Sequence, residues 1–175
     1  GCATHDARRT THDAQIDFEA LLRALAGAQA EFIVVGGVCA VLHGAPVATF
    51  DLDLVYSRAG DNLSRLERVL REFNAVYREK PDAAGLDSAG HHLLQTDAGP
   101  LDLLGSVVGG ERYEELLAHT EGVDLGTGLH VRLLDLPTLI RLKEQLGRDR
   151  DRAVLPILKR TLAERGGPDH DWREP

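Results

Sequence analysis

One stretch constrains this chain more than any other: Val34-Val35-Gly36-Gly37, thirteen further residues, then Asp51-Leu52-Asp53-Leu54. Phe32-Ile33-Val34-Val35 is a short apolar run with β-branched residues, which predicts a buried strand. Gly36-Gly37 ends it, and Val38 to His43 predicts a short helix stopped by Gly44. Phe50 to Tyr56 alternates in the manner of a second strand. Alternate strand residues share a face, so Asp51 and Asp53 project side by side while Leu52 and Leu54 pack on the other side. Two carboxylates that close raise one another's pKa, and keeping both ionised needs a cation. Mg²⁺ suits the position because it takes one or two carboxylates together with substrate phosphates. A Gly-Gly turn from strand to helix lets backbone N–H groups approach a phosphate, and a helix start favours negative charge.

A third acid, Asp102, lies in Pro100-Leu101-Asp102-Leu103-Leu104, on an expected strand with apolar neighbours. An unpaired Asp there is costly. If that strand lies beside the Asp51 strand, three acids converge and can hold two metals, the arrangement that serves an in-line displacement.

The remaining elements alternate. Phe18, Leu21, Leu22 and Leu25 have helical spacing. Asn62 to Phe73 predicts a second amphipathic helix with Asp61 as its N-cap. Residues 80–90 are expected to be loop. His91 to Thr96 and Leu101 to Ser106 predict paired strands around the turn Asp97-Ala98-Gly99-Pro100. Tyr113 to His119 predicts a helix, and Val123 to Leu134 a hairpin about Gly126-Thr127-Gly128. Asp135 caps a helix with Pro137 in its first turn and Gly147 at its end. A last helix is expected from Arg152 to Glu164, with Pro156 confined to its first turn. The pattern indicates an α/β (α+β) domain with a mixed sheet. It divides into a tail at residues 1–15, a core at 16–134, a C-terminal helical segment at 135–165 and a tail at 166–175.

Composition narrows the class. At 175 residues the chain fits one domain. No apolar run reaches membrane-span length, and residues 1–15 carry no signal-peptide pattern. Two cysteines, Cys2 and Cys39, provide no disulfide framework, so a reduced, cytoplasmic setting is expected. The net charge of −8 argues against sequence-independent coating of nucleic acid. The basic residues concentrate between Arg141 and Arg165, where eight stand against four acids. That segment favours an anionic acceptor or a triphosphate.

The stretch Phe32 to Tyr56 resembles the signature of the polymerase-β-type nucleotidyltransferase superfamily: hydrophobic strand, Gly-Gly, a spacer, Asp-x-Asp. The fuller pattern, Val35-Gly36-Gly37, His43-Gly44, Thr49, Asp51, Asp53-Leu54, is similar to small bacterial nucleotidyltransferases of toxin–antitoxin and phage-defence systems. Gly99 to Leu104 resembles the segment carrying that family's third acid. Leu139 to Lys143, followed by Arg148-Asp149-Arg150-Asp151, resembles its C-terminal helix. The likeness spans residues 18–162. It implies the nucleotidyltransferase fold and Mg²⁺-dependent transfer of a nucleoside monophosphate from a nucleoside triphosphate such as ATP to an acceptor hydroxyl. That acceptor is an RNA 3′ end (tRNA), a protein residue or a small antibiotic. It further implies a toxin role with an antitoxin partner, and a homodimer is a common solution. Position by position, Gly36 and Gly37 would bind the triphosphate. Asp51, Asp53 and Asp102 would ligate two Mg²⁺ ions, with Asp102 helping the acceptor hydroxyl lose its proton. Thr49 would touch phosphate or cap the turn. Lys143 and Arg148 would contact the triphosphate or hold the C-terminal helix, with Asp151 orienting one of them. The chain departs from many relatives at Val47, where they carry Arg.

Two other readings compete. One is a nucleotidyltransferase-like binding protein without turnover, which Val47 favours. The other is a metal-dependent phosphohydrolase, which would want histidines near the Asp pair; none lies on that strand. The remaining candidates are weaker. His91 and His92 point to opposite strand faces. His43 reads as a helix C-terminal residue. Cys39 reads as a small core residue, having no paired His. No phosphate loop of the Gly-x-x-x-x-Gly-Lys-Ser/Thr type is present.

Overall fold

The computed structural model describes residues 15–80 and 85–166. The expected tails lie outside these residues except for Gln15 and Gly166, as do residues 81–84 of the expected loop. The chain runs α1 (Phe18–Gly27), β1 (Phe32–Val35), α2 (Gly36–Leu42), β2 (Leu52–Tyr56), α3 (Asn62–Glu72), β3 (Val76–Tyr77), β4 (His91–Thr96) and β5 (Gly99–Leu104). It continues with α4 (Tyr113–Leu116), extended by a 3₁₀ turn at Leu117–His119, then β6 (Thr120–Asp124), β7 (His130–Leu134), α5 (Leu136–Leu146) and α6 (Asp149–Arg165). The strands form one mixed sheet in the order β3-β4-β5-β2-β1-β7-β6.

Apolar burial fixes the middle of that sheet. All four residues of β1 are buried. On β2 and β5 the alternation is strict at the centre: Leu52, Leu54, Leu101 and Leu103 are fully buried, while Asp53 and Asp102 between them stay half-buried. A one-residue slip of either strand would put carboxylates into the core, so the register is strongly specified. β1 and β2 run antiparallel, with Val35 opposite Asp53. β2 and β5 run parallel, with Asp53 opposite Asp102. β4 returns antiparallel and sets Leu93 opposite Asp102.

Several local expectations shift for physical reasons. α2 starts at Gly36 rather than Val38, so the glycines form its first turn. β2 starts at Leu52, leaving Phe50 and Asp51 just before it. Asp61 makes no side-chain cap on α3. The buried Asn62 secures that corner instead: its Nδ2 donates to the carbonyls of Ser57 (2.7 Å) and Glu31 (3.0 Å), and its Oδ1 accepts from the Glu31 N–H (2.7 Å). The β4–β5 turn tightens to Asp97-Ala98, since Gly99 already pairs with Thr96. The two-residue strand β3, too short to leave a periodic signal, pairs with β4 at the sheet edge. α5 follows the expectation closely: Asp135 Oδ1 accepts from the Thr138 N–H (2.8 Å), and Gly147 ends the helix at φ 60°. α6 starts at Asp149, before the expected Arg152, so Pro156 lies inside it rather than in its first turn. The Arg148 N–H donates to Asp151 Oδ2 (3.2 Å), which initiates the helix early. Pro156 is on an exposed side, where water can reach the carbonyl that loses its helical partner.

Candidate active site

The sheet register places the acids. Residues directly opposite one another across strands share a face. A row therefore crosses the sheet from Val35 on β1 through Asp53 on β2 and Asp102 on β5 to Leu93 on β4. The Arg78 N–H, just past β3, donates to the Leu93 carbonyl (2.9 Å) and extends that row to the sheet edge.

The Gly-Gly pair is explained by close packing against this row. Gly36 has φ +67°, and a Cβ there would come 2.9 Å from Asp53 Cγ. A Cβ on Gly37 would come 2.8 Å from Thr49 Cβ. The first turn of α2 thus sits directly on the Asp53 carboxylate and on the Thr49 side chain. Thr49 Oγ1 donates to the Asp51 carbonyl (3.2 Å).

Electrostatics mark Asp53. Burial, the Asp102 carboxylate beside it and the Asp51 charge push its pKa up to about 8, against a smaller opposing pull from Lys143. Two neighbouring carboxylates that cannot both ionise cheaply are short of a positive charge. The donors are hard carboxylate oxygens, the type Mg²⁺ prefers, so the residues fit a divalent ion. Among the described residues, however, no three His, Cys, Asp or Glu side chains close into a metal-holding cage. Asp53 and Asp102 lie opposite one another on adjacent strands, and Asp51 lies just before β2.

Lys143 of α5 and Arg148 at the start of α6 converge on Asp151, whose side chain is fully buried. Asp151 accepts from Lys143 Nζ (3.2 Å), from Arg148 Nε (2.6 Å) and from Arg148 Nη2 (3.2 Å). Burial alone would raise its pKa, but these donors outweigh that and hold it down at about 2. Asp151 therefore orients both cations, not one. Lys143 and Arg148 also lie within electrostatic range of Asp53.

Sequence reasoning missed Arg78. Its Nη2 donates to Asp102 Oδ1 (2.5 Å) and its Nη1 to the Leu94 carbonyl (2.6 Å). The residue follows an edge strand with no periodic signature, so only the β3–β4 pairing reveals it.

Other sequence candidates lie apart from the acids or serve packing. His43 caps α2; its Nε2 lies 2.7 Å from the Leu134 carbonyl, and its Nδ1 faces Arg165 (2.5 Å) and Glu121 (3.1 Å). Cys39 is buried, and burial raises its thiol pKa to about 12, which makes it no nucleophile. His91 is exposed and His92 buried, so they share no ion. Tyr77 Oη lies 3.0 Å from His92 Nδ1. Val47 packs against the core.

No protein-family model matches the chain, and no curated protein matches it. Solved structures do. A Thermotoga maritima protein described as a nucleotidyltransferase superposes with a TM-score of 0.56 at 18% identity, over 84% of this chain and 91% of that one. The antibiotic-resistance factor ANT(2'')-Ia, in complex with adenylyl-2''-tobramycin, superposes with a TM-score of 0.58 at 15% identity, over 85% and 89%. Its solution structure gives 0.55 at 14% identity, over 83% and 84%. The register of β2 and β5, the α2 start on Asp53 and these likenesses agree: the chain has the nucleotidyltransferase fold.

Proposed function

We propose that this chain transfers a nucleoside monophosphate from a nucleoside triphosphate to an acceptor hydroxyl, releasing pyrophosphate. The observation that carries the reading is the pairing of Asp53 with Asp102 across adjacent parallel strands, with the Gly36 backbone packed on Asp53. Asp51, Asp53 and Asp102 would hold Mg²⁺, two ions in the fullest form. When bound, the metal neutralises charge on the phosphates and lowers the pKa of a coordinated hydroxyl.

The chain's own residues supply the rest. Gly36 and Gly37 would offer backbone N–H groups to phosphate oxygens at the start of α2. Lys143 and Arg148, fixed by Asp151, face the negative charge that spreads over the phosphates. Asp102, on the strand farther from β1, would help the acceptor hydroxyl lose its proton. Catalysis on this plan is positioning and charge neutralisation rather than covalent chemistry.

The acceptor we favour is an RNA 3′ end, with tRNA foremost, or a protein hydroxyl, in keeping with a cytoplasmic toxin silenced by an antitoxin partner. The concentration of basic residues between Arg141 and Arg165 supports an anionic acceptor. One observation favours a second reading, a nucleotide-binding protein of weak or no turnover: Val47 is packed against the core and offers no cation to phosphate.

The test supplies purified protein and Mg²⁺ with each α-labelled nucleoside triphosphate in turn, and with total RNA, total soluble protein or tobramycin as acceptor. Asp51→Ala/Asp53→Ala protein is the control. Label on RNA or protein, lost in the control, establishes the proposal. Label on tobramycin alone moves the acceptor to small cations. Metal-dependent nucleotide binding without label in any lane establishes the binding protein.

A further inference from the structure

We propose that Arg78 is the positioning residue of the third acid: anchored to the β4 backbone, its guanidinium holds one oxygen of Asp102 and thereby turns the other toward Asp53. The inference rests on the nucleotidyltransferase reading of the three acids. It adds a residue that neither the Gly-Gly and Asp-x-Asp pattern nor the C-terminal helices contain.

The anchoring is what distinguishes Arg78 from an ordinary surface ion pair. Its backbone N–H donates to the Leu93 carbonyl (2.9 Å), which fixes its place in the row with Leu93, Asp102 and Asp53. Its Nη1 donates to the Leu94 carbonyl (2.6 Å). With the guanidinium fixed at one nitrogen, Nη2 presents a donor to Asp102 Oδ1 (2.5 Å). The Asp102 side chain is 15% exposed and that of Arg78 27%, so the pair is shielded on the side of the acid. A planar fork can make both contacts at once; an ammonium cannot hold the same geometry.

Among the described residues Arg78 is the one basic side chain bonded to Asp102, whose other side-chain partner is the Asp53 carboxyl. Without Arg78, Asp102 would lose its one anchored donor, and its carboxylate would be free to turn about χ1 and χ2. Outer partners that orient ligating carboxylates are worth about ten- to a hundredfold in metal affinity. An ion pair that still reaches water at both partners, by contrast, adds little to folding. The variant should therefore bind metal poorly while melting almost normally.

The test measures Mn²⁺ binding by electron paramagnetic resonance, without nucleotide, for the wild-type chain, Arg78→Gln, Arg78→Lys, Asp102→Ala and the double variant Arg78→Gln/Asp102→Ala, each paired with a thermal melt. The expected result is a ten- to hundredfold weaker Mn²⁺ affinity in Arg78→Gln, about, with a melting temperature within about 3 °C of wild type. Arg78→Lys should recover part of the loss, and Arg78→Gln should add nothing in the Asp102→Ala background. Unchanged affinity in Arg78→Gln overturns the inference. Tighter affinity also overturns it, and makes Arg78 a cation that competes with the metal. Equal losses in both backgrounds overturn it as well, since the effect would not pass through Asp102. Absence of Mn²⁺ binding by the wild-type chain overturns the metal reading itself, and this inference with it.

Discussion

Gly36→Ala should separate activity from stability. Gly36 has φ +67°, a left-handed conformation in which an added Cβ costs about 1–2 kcal/mol. The new Cβ would also lie 2.9 Å from Asp53 Cγ and 3.0 Å from Asp53 Cβ. Those are not the free end of a long side chain. Asp53 Cβ is tied to a strand paired on both sides, so either β2 or the first turn of α2 must move by a few tenths of an ångström or more. We expect a total destabilisation of about 2 kcal/mol, which lowers the melting temperature by about 4–8 °C. Transfer should fall much further. Misplacing reacting groups by about 1 Å costs about a hundredfold. The assay is urea melts alongside initial rates of label transfer. Gly27→Ala is the control, since Gly27 ends α1 with open space around it. It should fold at least as well as wild type and transfer normally. The reasoning fails if Gly36→Ala melts early as expected yet transfers at the wild-type rate, because the close approach of α2 to Asp53 would then serve packing alone.

Asp151→Asn should loosen the Lys143–Arg148 pair and weaken triphosphate affinity about tenfold or more, measured by nucleotide titration. The same residue contributes to acid stability. Its folded pKa of about 2 lies below the ordinary 3.8, so its contribution is present above about pH 4 and lost as pH falls through 2. It amounts to about 2 kcal/mol, and acid titration of wild type against Asp151→Asn should show the difference. Asp53 has the opposite sign: its folded pKa is raised, so metal-free protein should lose stability as pH rises from about 4 toward 8. Asp53→Asn should abolish transfer yet raise the metal-free melting temperature at pH 8; an unchanged melt would mean that Asp53 bears no electrostatic strain. Cys39, buried with its thiol pKa near 12, should resist iodoacetamide at pH 8 until the chain unfolds, as read by peptide mapping.

Much of this site was legible in the chain because it lies on strongly patterned strands. The alternation Leu52-Asp53-Leu54 and Leu101-Asp102-Leu103 fixes which face each acid takes, and burial of the four leucines fixes the register. The adjacency of β2 and β5 was the conditional step, since alternation says nothing about which strand lies next to which. Arg78 was illegible for the same reason, its role depending on pairing along a two-residue edge strand. The glycines were legible as a turn but not as a contact. What requires them is the proximity of Asp53 and Thr49, residues distant along the chain. At α6 the pattern misled: Pro156 argued for a late start, while the Arg148–Asp151 pairing initiated the helix earlier and left the proline on an exposed side. Lys143, Arg148 and Asp151 were legible as a charged group, but only the fold shows one fully buried carboxylate holding two cations.

The most direct test of the central claim is a product balance. Purified protein, Mg²⁺ and the preferred nucleoside triphosphate would be followed with an acceptor for both released pyrophosphate and transferred label. The account predicts one pyrophosphate for each nucleoside monophosphate transferred, with both signals absent in Asp53→Ala and in Asp102→Ala. Release of inorganic phosphate, or of free nucleoside monophosphate with no acceptor labelled, would contradict it and assign the same acids to hydrolysis.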